Sequence, residues 1–112
     1  MIDSYDFGRI VIDGKRYNSD LIIFPDKVRD GWWRKEGHRL SIEDLEEVLQ
    51  AKPEVLVVGT GYYGFMKVPR EVKEYLGSRK IELVVENTKE AFKTFNRLTS
   101  TKKVVAAFHL KC

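Results

Sequence analysis

The sequence is poor in cysteine and in side-chain amides. Among its 112 residues it has one cysteine, one glutamine and three asparagines, against 20 basic and 17 acidic residues. The single cysteine, Cys112, excludes an internal disulfide and a cysteine-based zinc site, and it indicates a reducing compartment. So many charges beside so few thermolabile side chains make a composition typical of hyperthermophile proteins.

Long hydrophobic runs are also absent. The longest apolar runs span four or five residues, far below the ~20 that a transmembrane helix requires. The first nine residues, MIDSYDFGR, lack the apolar stretch of a signal peptide, so we expect a cytoplasmic protein without membrane contact. An apolar fraction of 43% and a charged fraction of 33% fit a folded globular chain. The length predicts a single domain over residues 1–112.

The first half of the chain predicts a β-hairpin, further strands and one helix. Residues 7–12 alternate apolar and polar side chains before Asp13-Gly14, which is a hairpin turn signal. Two further strands are predicted, one from the apolar segment at 21–24 and a short one at 28–33. A capping-box-like start at Ser41 predicts a helix that ends at Pro53.

The second half alternates strand and helix signals. Residues 55–58 form a continuous apolar run, typical of a strand covered on both faces. Pro69 suits the first turn of a helix, which we expect to close at Gly77. The remaining signals are a strand at 81–85, a helix capped by Asn87 or Thr88, and a last strand at 104–110. This order predicts an α/β fold: a three-layer sandwich with a mixed central sheet, helices on both faces and an N-terminal β-hairpin.

A glycine-rich turn follows the first buried strand. Residues 59–64, Gly-Thr-Gly-Tyr-Tyr-Gly, match the G-x-G-x-x-G pattern of dinucleotide-binding loops. In those loops the helix begins at the glycines and meets the pyrophosphate, whereas the helix signal at Pro69 comes after bulky side chains. We therefore predict no NAD, FAD or other cofactor. The turn either binds a smaller anion through its N–H groups or only reverses the chain, and we expect a positive φ at Gly59 or Gly61.

No pattern of catalytic or metal-binding residues stands out. His38 and His109 lie 71 residues apart, without the spacing of a metal site, and His109 is expected to be packed or hydrogen-bonded in a strand. Cys112 lacks the surroundings of a reactive thiol. The sequence thus predicts no catalytic residue and no metal site. It leaves open whether the chain is an enzyme, and favours a protein that is not.

Aromatic residues are the strongest sign of a binding surface. Trp32-Trp33-Arg34, beside Arg29 and Lys35, has the composition of a platform for stacking nucleic-acid bases. An exposed tryptophan near Phe65 fits a protein interface better, so we predict a protein partner or self-association rather than nucleic acid. The candidate interface comprises Trp32, Tyr62, Tyr63 and Phe65.

Several segments together resemble a known family. They are residues 8–14 (Gly-Arg-Ile-Val-Ile-Asp-Gly), Trp32-Trp33-Arg34 with Gly37-His38, and the segments 57–61, 87–98 and 104–110. The pattern T-x-x-A-x-x-x-F-N-x-L over 88–98, with the upstream Gly-Thr-Gly, is similar to the small Mth-domain family of archaeal, bacterial and eukaryotic proteins. That family includes the adipogenesis-associated Mth-domain protein and the mitochondrial complex I assembly factor 3. The resemblance covers nearly the whole chain.

The resemblance implies a three-layer α/β fold but no reaction, because the family has no established enzymatic activity. It places Thr88 and Asn96 on one helix, reaching back toward the sheet edge. Thr88 is then an N-cap, and Asn96 either ties down the Gly59–Gly61 loop or lines a pocket beside it. Where the family has arginine before the last strand, this chain has Thr101-Lys102-Lys103, and lysine cannot form a bidentate anion clamp.

Two functions remain open from the sequence. The first is a non-enzymatic interaction or assembly module that uses the candidate interface. The alternative is a small-anion binder or an unrecognised enzyme with its ligand at the glycine turn. The candidate ligand-binding residues are Gly59, Thr60, Gly61, Thr88 and Asn96. A concave pocket at the carboxyl end of the 55–58 strand would favour the alternative.

Overall fold

The computed structural model describes all 112 residues of the chain. A 3-10 helix, Ile42–Leu45, leads directly into the first α-helix. The strands and α-helices are β1 (Ile2–Asp6), β2 (Arg9–Ile12), β3 (Lys15–Tyr17), β4 (Leu21–Ile23), β5 (Val28–Asp30), α1 (Glu46–Ala51), β6 (Val55–Thr60), α2 (Arg70–Ser78), β7 (Glu82–Glu86), α3 (Thr88–Leu98) and β8 (Val104–His109).

A mixed sheet of five strands forms the centre of the fold, in the order β5-β4-β8-β6-β7. β6 runs parallel to β8 and to β7, whereas β4 is antiparallel to β8 and to β5. Every residue of β6 and β8 is buried, because both strands lie inside the sheet and are covered on both faces. The continuous apolar run of β6 therefore has the physical origin that the sequence predicted.

The side chains of β6 alternate between two hydrophobic cores. Leu56 and Val58 face the first core, which the 3-10 helix, α1 and α2 cover. Val55 and Val57 face the second core, which α3 and the N-terminal strands cover. Burying each such side chain stabilises the fold by about 1.5–3 kcal/mol relative to its exposed state. Helices thus lie on both faces of a mixed sheet, and the predicted three-layer α/β fold is confirmed.

The N-terminal strands form a separate antiparallel sheet in the order β1-β2-β3. The predicted hairpin turn between β2 and β3 is present, with φ values of 49° at Asp13 and 80° at Gly14. The hairpin is extended by β1, which the sequence does not predict. Of the five residues in β1 only Ile2 is buried, so the segment shows no clear apolar alternation.

Two helix boundaries show where local signals hold and where they fail. At the start of the 3-10 helix the Asp44 carboxylate accepts hydrogen bonds from the backbone N–H and the hydroxyl of Ser41, both at 2.8 Å. The bond from the Ser41 N–H is the one that the capping-box pattern predicts. The expected end of α2 at Gly77 is wrong, because the helix continues to Ser78 and the chain reverses at Lys80, with a φ of 60°. A Cβ at Gly77 would meet nothing within 4 Å, so this glycine has no special packing role.

Asn96 of α3 holds β1 in place. Its Oδ1 accepts a hydrogen bond from the Ile2 N–H at 2.9 Å, and its Nδ2 donates to the Ile2 carbonyl at 2.8 Å. The amide side chain therefore satisfies both backbone polar groups of Ile2, which is buried against the second core. One residue of α3 thus connects the N-terminal sheet to the helix.

Replacing Asn96 by alanine is expected to lower the free energy of unfolding by about 1–3 kcal/mol, because two partly buried backbone groups of Ile2 lose their partners. Urea unfolding and amide hydrogen exchange at Ile2 measure the effect. Lys93→Ala, at an exposed position of the same helix, is the control. Unchanged stability and unchanged exchange at Ile2 would show that β1 is held by other contacts.

Candidate functional site

The glycine turn lies at the carboxyl ends of β6 and β8. Gly61 has a φ of +109°, which confirms that one of the two predicted glycines adopts a backbone conformation that L side chains rarely reach. The next helix, α2, begins only at Arg70. The turn therefore lacks the helix N-terminus that follows the glycines in a dinucleotide-binding loop.

Both glycines allow close approach of the backbone to neighbouring segments. A Cβ at Gly59 would lie 2.7 Å from the Oγ1 of Thr88 and 2.8 Å from the Cδ1 of Phe108. A Cβ at Gly61 would lie 2.5 Å from the carbonyl carbon of Cys112. The absence of side chains thus brings α3 and the last residues of the chain directly against the turn.

Thr88 joins three segments through one hydroxyl group. Its Oγ1 accepts a hydrogen bond from the Gly61 N–H at 2.9 Å and donates to the His109 carbonyl at 2.7 Å. Its own N–H donates to the Gly61 carbonyl at 3.1 Å. Of the two N-caps that the sequence allowed, Asn87 is the one present, accepting from the Glu90 N–H at 3.1 Å, and Thr88 does not cap the helix. Thr88 is instead the buried first residue of α3.

Three further N–H groups of the turn, those of Tyr62, Gly64 and Phe65, also donate to protein acceptors. The Tyr62 N–H donates to the Lys111 carbonyl at 2.6 Å, and the Phe65 N–H donates to the Cys112 carbonyl at 2.9 Å. The Gly64 N–H donates back to the Gly61 carbonyl at 3.2 Å. These donors are thus engaged in holding the turn against the last residues of the chain.

None of the five main surface cavities lies at the turn. The five main surface cavities are lined by other residues and by none of Gly59, Thr60 or Gly61. Glu86, which occupies the place of the ribose-binding acid in the dinucleotide pattern, accepts a hydrogen bond from the Thr94 hydroxyl at 2.6 Å. The geometry of this edge therefore differs from that of a dinucleotide site both in its helix and in its acidic residue.

Asn96 lies away from the turn. Its two polar atoms bond the backbone of Ile2, so both expected roles, holding the Gly59–Gly61 loop or lining a pocket beside it, are wrong. The sequence pattern placed Asn96 correctly on α3, but its partner lies 94 residues away in the chain. Local spacing carries no information on such a contact.

A buried cluster of charged side chains lies at the same edge of the sheet, on the other face. The Asp20 Oδ2 lies 2.7 Å from the Nδ1 of His109 and 2.9 Å from the Nη2 of Arg34. Its Oδ1 accepts the Leu110 N–H at 2.7 Å, and Arg34 also donates to the Gly37 carbonyl at 2.8 Å. The expectation that His109 is hydrogen-bonded is confirmed.

The cluster keeps Asp20 ionised. Burial by itself raises the pKa of Asp20, but hydrogen bonds from His109 and from the Leu110 N–H, together with the charge of Arg34, hold it below its ordinary value. A carboxylate that accepts from Nδ1 selects the His109 tautomer with the proton on Nδ1. Asp20 carries no sequence signal beyond being a charged residue next to an apolar run. Arg34 was expected only as part of the Trp32-Trp33-Arg34 segment, not as the partner of a buried carboxylate.

The tryptophan pair divides between the core and the surface. Trp32 is 8% exposed, donates its indole N–H to the Asp44 carbonyl at 3.0 Å and stacks on Arg34 with 4.7 Å between guanidinium and ring. The prediction that Trp32 belongs to an exposed interface is therefore wrong. Trp33 is 89% exposed, as expected for neighbouring side chains on opposite sides of an extended segment.

Four aromatic side chains, three of them exposed and Tyr62 half-buried, form a continuous patch, which we name the aromatic surface. It consists of Phe7, Tyr62, Tyr63 and Phe65. The ring centroids of Tyr62 and Tyr63 are 5.1 Å apart, and Phe7 lies 5.8 Å from Tyr62 and 6.1 Å from Tyr63. Phe65 extends the patch at 5.8 Å from Tyr63. The structure therefore brings three of the four predicted interface residues together and adds Phe7.

Tyr5 supports this surface from below. Its ring lies 6.2 Å from that of Tyr62 and 6.4 Å from that of Phe92 on α3. Its hydroxyl donates to the Leu110 carbonyl at 2.6 Å, and burial raises the pKa of that hydroxyl well above its ordinary range. The aromatic surface thus packs against Tyr5, which is partly buried and hydrogen-bonded.

Two further findings concern the chain as a whole. No three histidine, cysteine, aspartate or glutamate side chains lie close enough together to hold a metal ion. None of the helices is both long enough and apolar enough to cross a membrane.

Known proteins resemble the chain over nearly its full length. The sequence model of a family described as protein of unknown function (DUF498/DUF598) matches residues 2–109. NADH dehydrogenase (ubiquinone) 1 alpha subcomplex assembly factor 3 of Danio rerio is 33% identical over 110 residues, which are 96% of this chain and 62% of that protein. The chain therefore spans less than two thirds of the length of this relative.

Solved structures share the fold. A conserved hypothetical protein from Pyrococcus horikoshii OT3 has a TM-score of 0.88 and 31% identity, over 100% of this chain and 99% of that chain. A Mth938-like domain of Bordetella pertussis has a TM-score of 0.68 and 20% identity, over 97% of this chain and 84% of that chain.

Gly61→Ala is expected to lower the free energy of unfolding by about 1–3 kcal/mol, because it combines an unfavourable φ with a clash against the last residues of the chain. Gly31→Ala is a matched control, since Gly31 also has a positive φ, +69°, but nothing within 4 Å of an added Cβ. Chemical denaturation compares the two. If both variants lose the same unfolding free energy, the clash with Cys112 adds nothing to the cost of the Gly61 substitution.

Asp20→Asn is expected to lower the free energy of unfolding by about 3 kcal/mol at neutral pH, because Arg34 is left buried without its counter-charge. The folded pKa of Asp20 is lowered, so its contribution is complete above the ordinary pKa and is lost as the pH falls through the folded pKa. The difference between wild type and variant should therefore shrink in acid. Urea unfolding over a pH series measures it, with the exposed Asp30→Asn as control. If wild type and Asp20→Asn still differ in unfolding free energy at the lowest pH, the Asp20 carboxylate is not the source of the stabilisation.

Proposed function

The chain belongs to the DUF498/DUF598 family, which confirms the predicted membership of the Mth-domain family, and we propose that it is a non-enzymatic interaction or assembly module. In this proposal it binds a partner protein through the aromatic surface. The observation that carries the proposal is the exposure of three large rings in one continuous patch: Phe7 at 46%, Tyr63 at 62% and Phe65 at 54%.

Such a patch has the physical character of an interface. Phenylalanine and tyrosine are enriched at protein interfaces, where a few aromatic side chains supply most of the binding free energy. Covering apolar area contributes about 25 cal/mol per Å², and a contiguous patch offers that gain to one partner. Single exposed apolar residues are common on any protein and need no such explanation.

The backbone beneath the patch favours binding because it is already ordered. The N–H groups of Tyr62 and Phe65 are bonded to Lys111 and Cys112, and Thr88 holds Gly61. A partner therefore meets side chains on a fixed loop, and little conformational entropy is lost on association.

The Danio rerio relative supports a role in assembly. Its name describes an assembly factor for NADH dehydrogenase, and it is 33% identical to this chain. Because the chain spans only 62% of that protein, we propose for it the general role, assembly through protein contact, and not that complex as its partner. The predicted cytoplasmic location and self-association stay predictions.

The small-anion or enzymatic alternative stays a prediction that no observation favours. It needs free N–H donors and a concave site at the glycine turn. The donors of Gly61, Tyr62 and Phe65 are bonded within the protein, and the main cavities lie elsewhere. Both features favour the interaction module.

The double variant Tyr63→Ser with Phe65→Ser is expected to weaken partner binding at least tenfold, because two aromatic contacts are lost. Affinity capture from cells of the source organism with the wild-type chain, followed by titration of the captured protein, measures the change. Trp33→Ser removes an aromatic residue that is more exposed, at 89%, but makes no ring contact with the aromatic surface, and it should leave binding unchanged. Capture that survives the double variant but not Trp33→Ser would refute the proposal.

A further inference from the structure

The rim of the aromatic surface is basic. The Nζ of Lys89 lies 4.3 Å from the ring centroid of Tyr62. The Lys111 carbonyl accepts the Tyr62 N–H, and the Lys111 side chain reaches the turn before β2, where a Cβ added at Gly8 would be 3.5 Å from its Cε. Gly8 follows Phe7 directly, so Lys89 adjoins the half-buried ring of Tyr62 and Lys111 lies beside the turn that carries the exposed Phe7.

Neither lysine is neutralised by the protein. All ion pairs within 4.0 Å involve other cations, and Lys89 and Lys111 have no carboxylate at that distance. The carboxylate next to Phe7, that of Asp6, is already engaged, since it accepts the Phe7 N–H at 2.8 Å and pairs with Arg9 at 3.5 Å. The aromatic surface therefore presents apolar rings and unpaired positive charge together.

We infer that the partner presents an acidic segment, in which glutamate or aspartate side chains alternate with apolar ones. This inference rests on the proposed function and names the chemistry of the partner at that same surface. The apolar side chains cover Tyr63 and Phe65, while a carboxylate reaches Lys89, whose ammonium group is held at the surface by the face of the Tyr62 ring. Opposite charges at the rim would speed encounter and select the partner.

A protein segment suits this surface better than a nucleic acid. Nucleic-acid sites follow the phosphate backbone with many lysines and arginines along a groove, whereas here two lysines flank a patch whose centre is apolar. The observations therefore favour an acidic polypeptide.

The probe is a pair of synthetic peptides of equal length. In one, phenylalanine and leucine alternate with glutamate, and in the other lysine replaces each glutamate. Calorimetric titration and amide chemical-shift mapping on the full chain should show binding of the glutamate peptide at the aromatic surface, weakening as salt is added. The lysine peptide should bind at least tenfold more weakly.

Charge reversal supplies the decisive comparison. The double variant Lys89→Glu with Lys111→Glu should invert the preference between the two peptides. Lys15→Glu is the matched control, because Lys15 also lies over a tyrosine ring, 5.2 Å from the centroid of Tyr17, but at β3; it should leave the preference unchanged. Circular dichroism checks that each variant remains folded.

The inference is overturned by no binding of the glutamate peptide, by equal binding of both peptides, or by a preference that charge reversal leaves in place. Tighter Lys89-dependent binding of phosphatidylglycerol vesicles or of a single-stranded oligonucleotide also overturns it. If partner capture depends on Tyr63 and Phe65 while charge reversal has no effect, the proposed function stands and only the acidic character of the partner is refuted.

Discussion

The hydroxyl group of Thr88 is the interaction on which the functional edge of this fold depends. It accepts from the Gly61 N–H and donates to the His109 carbonyl, so one buried atom joins the start of α3, the turn after β6 and the end of β8. Gly59 and Gly61 make this possible, because a side chain at either position would collide with Thr88 or Cys112. The turn is therefore shaped by packing, and its glycines serve the contact between backbone segments.

A second polar centre secures the opposite face of the same edge. Asp20 contacts His109, Arg34 and the Leu110 N–H. The end of β8 is therefore held by Asp20 on one face of the sheet and by Thr88 on the other. β6 and β8 are buried along their whole length, and each strand has its one polar side chain, Thr60 or His109, at its last residue. The loops that carry the exposed rings start from this doubly held edge, which explains how a large aromatic patch can stay fixed in water.

Features that depend on neighbouring residues could be predicted. The apolar run of β6, the Asp13-Gly14 turn, the cap at Ser41, the helix start after Pro69 and a positive φ at one turn glycine all arise from local steric and hydrogen-bonding preferences. The failures also have local causes: Gly77 resembles a helix end but is tolerated inside α2, and the single buried residue of β1 leaves too weak a period to detect.

The sequence by itself determined the order of the elements after β1, the three-layer α/β class and the family. Apolar periodicity and turn residues act over a few positions, and the family pattern extends along nearly the whole chain. Only the tertiary structure decided which tryptophan is buried, that Asn96 holds Ile2, that Asp20 meets His109, and that Phe7 joins Tyr62 and Tyr63. These contacts join residues far apart in the chain, 94 positions in the case of Asn96 and 89 in the case of Asp20. These long-range contacts form because the sheet and α3 bring distant segments together, and no short-range sequence pattern predicts which segments become neighbours.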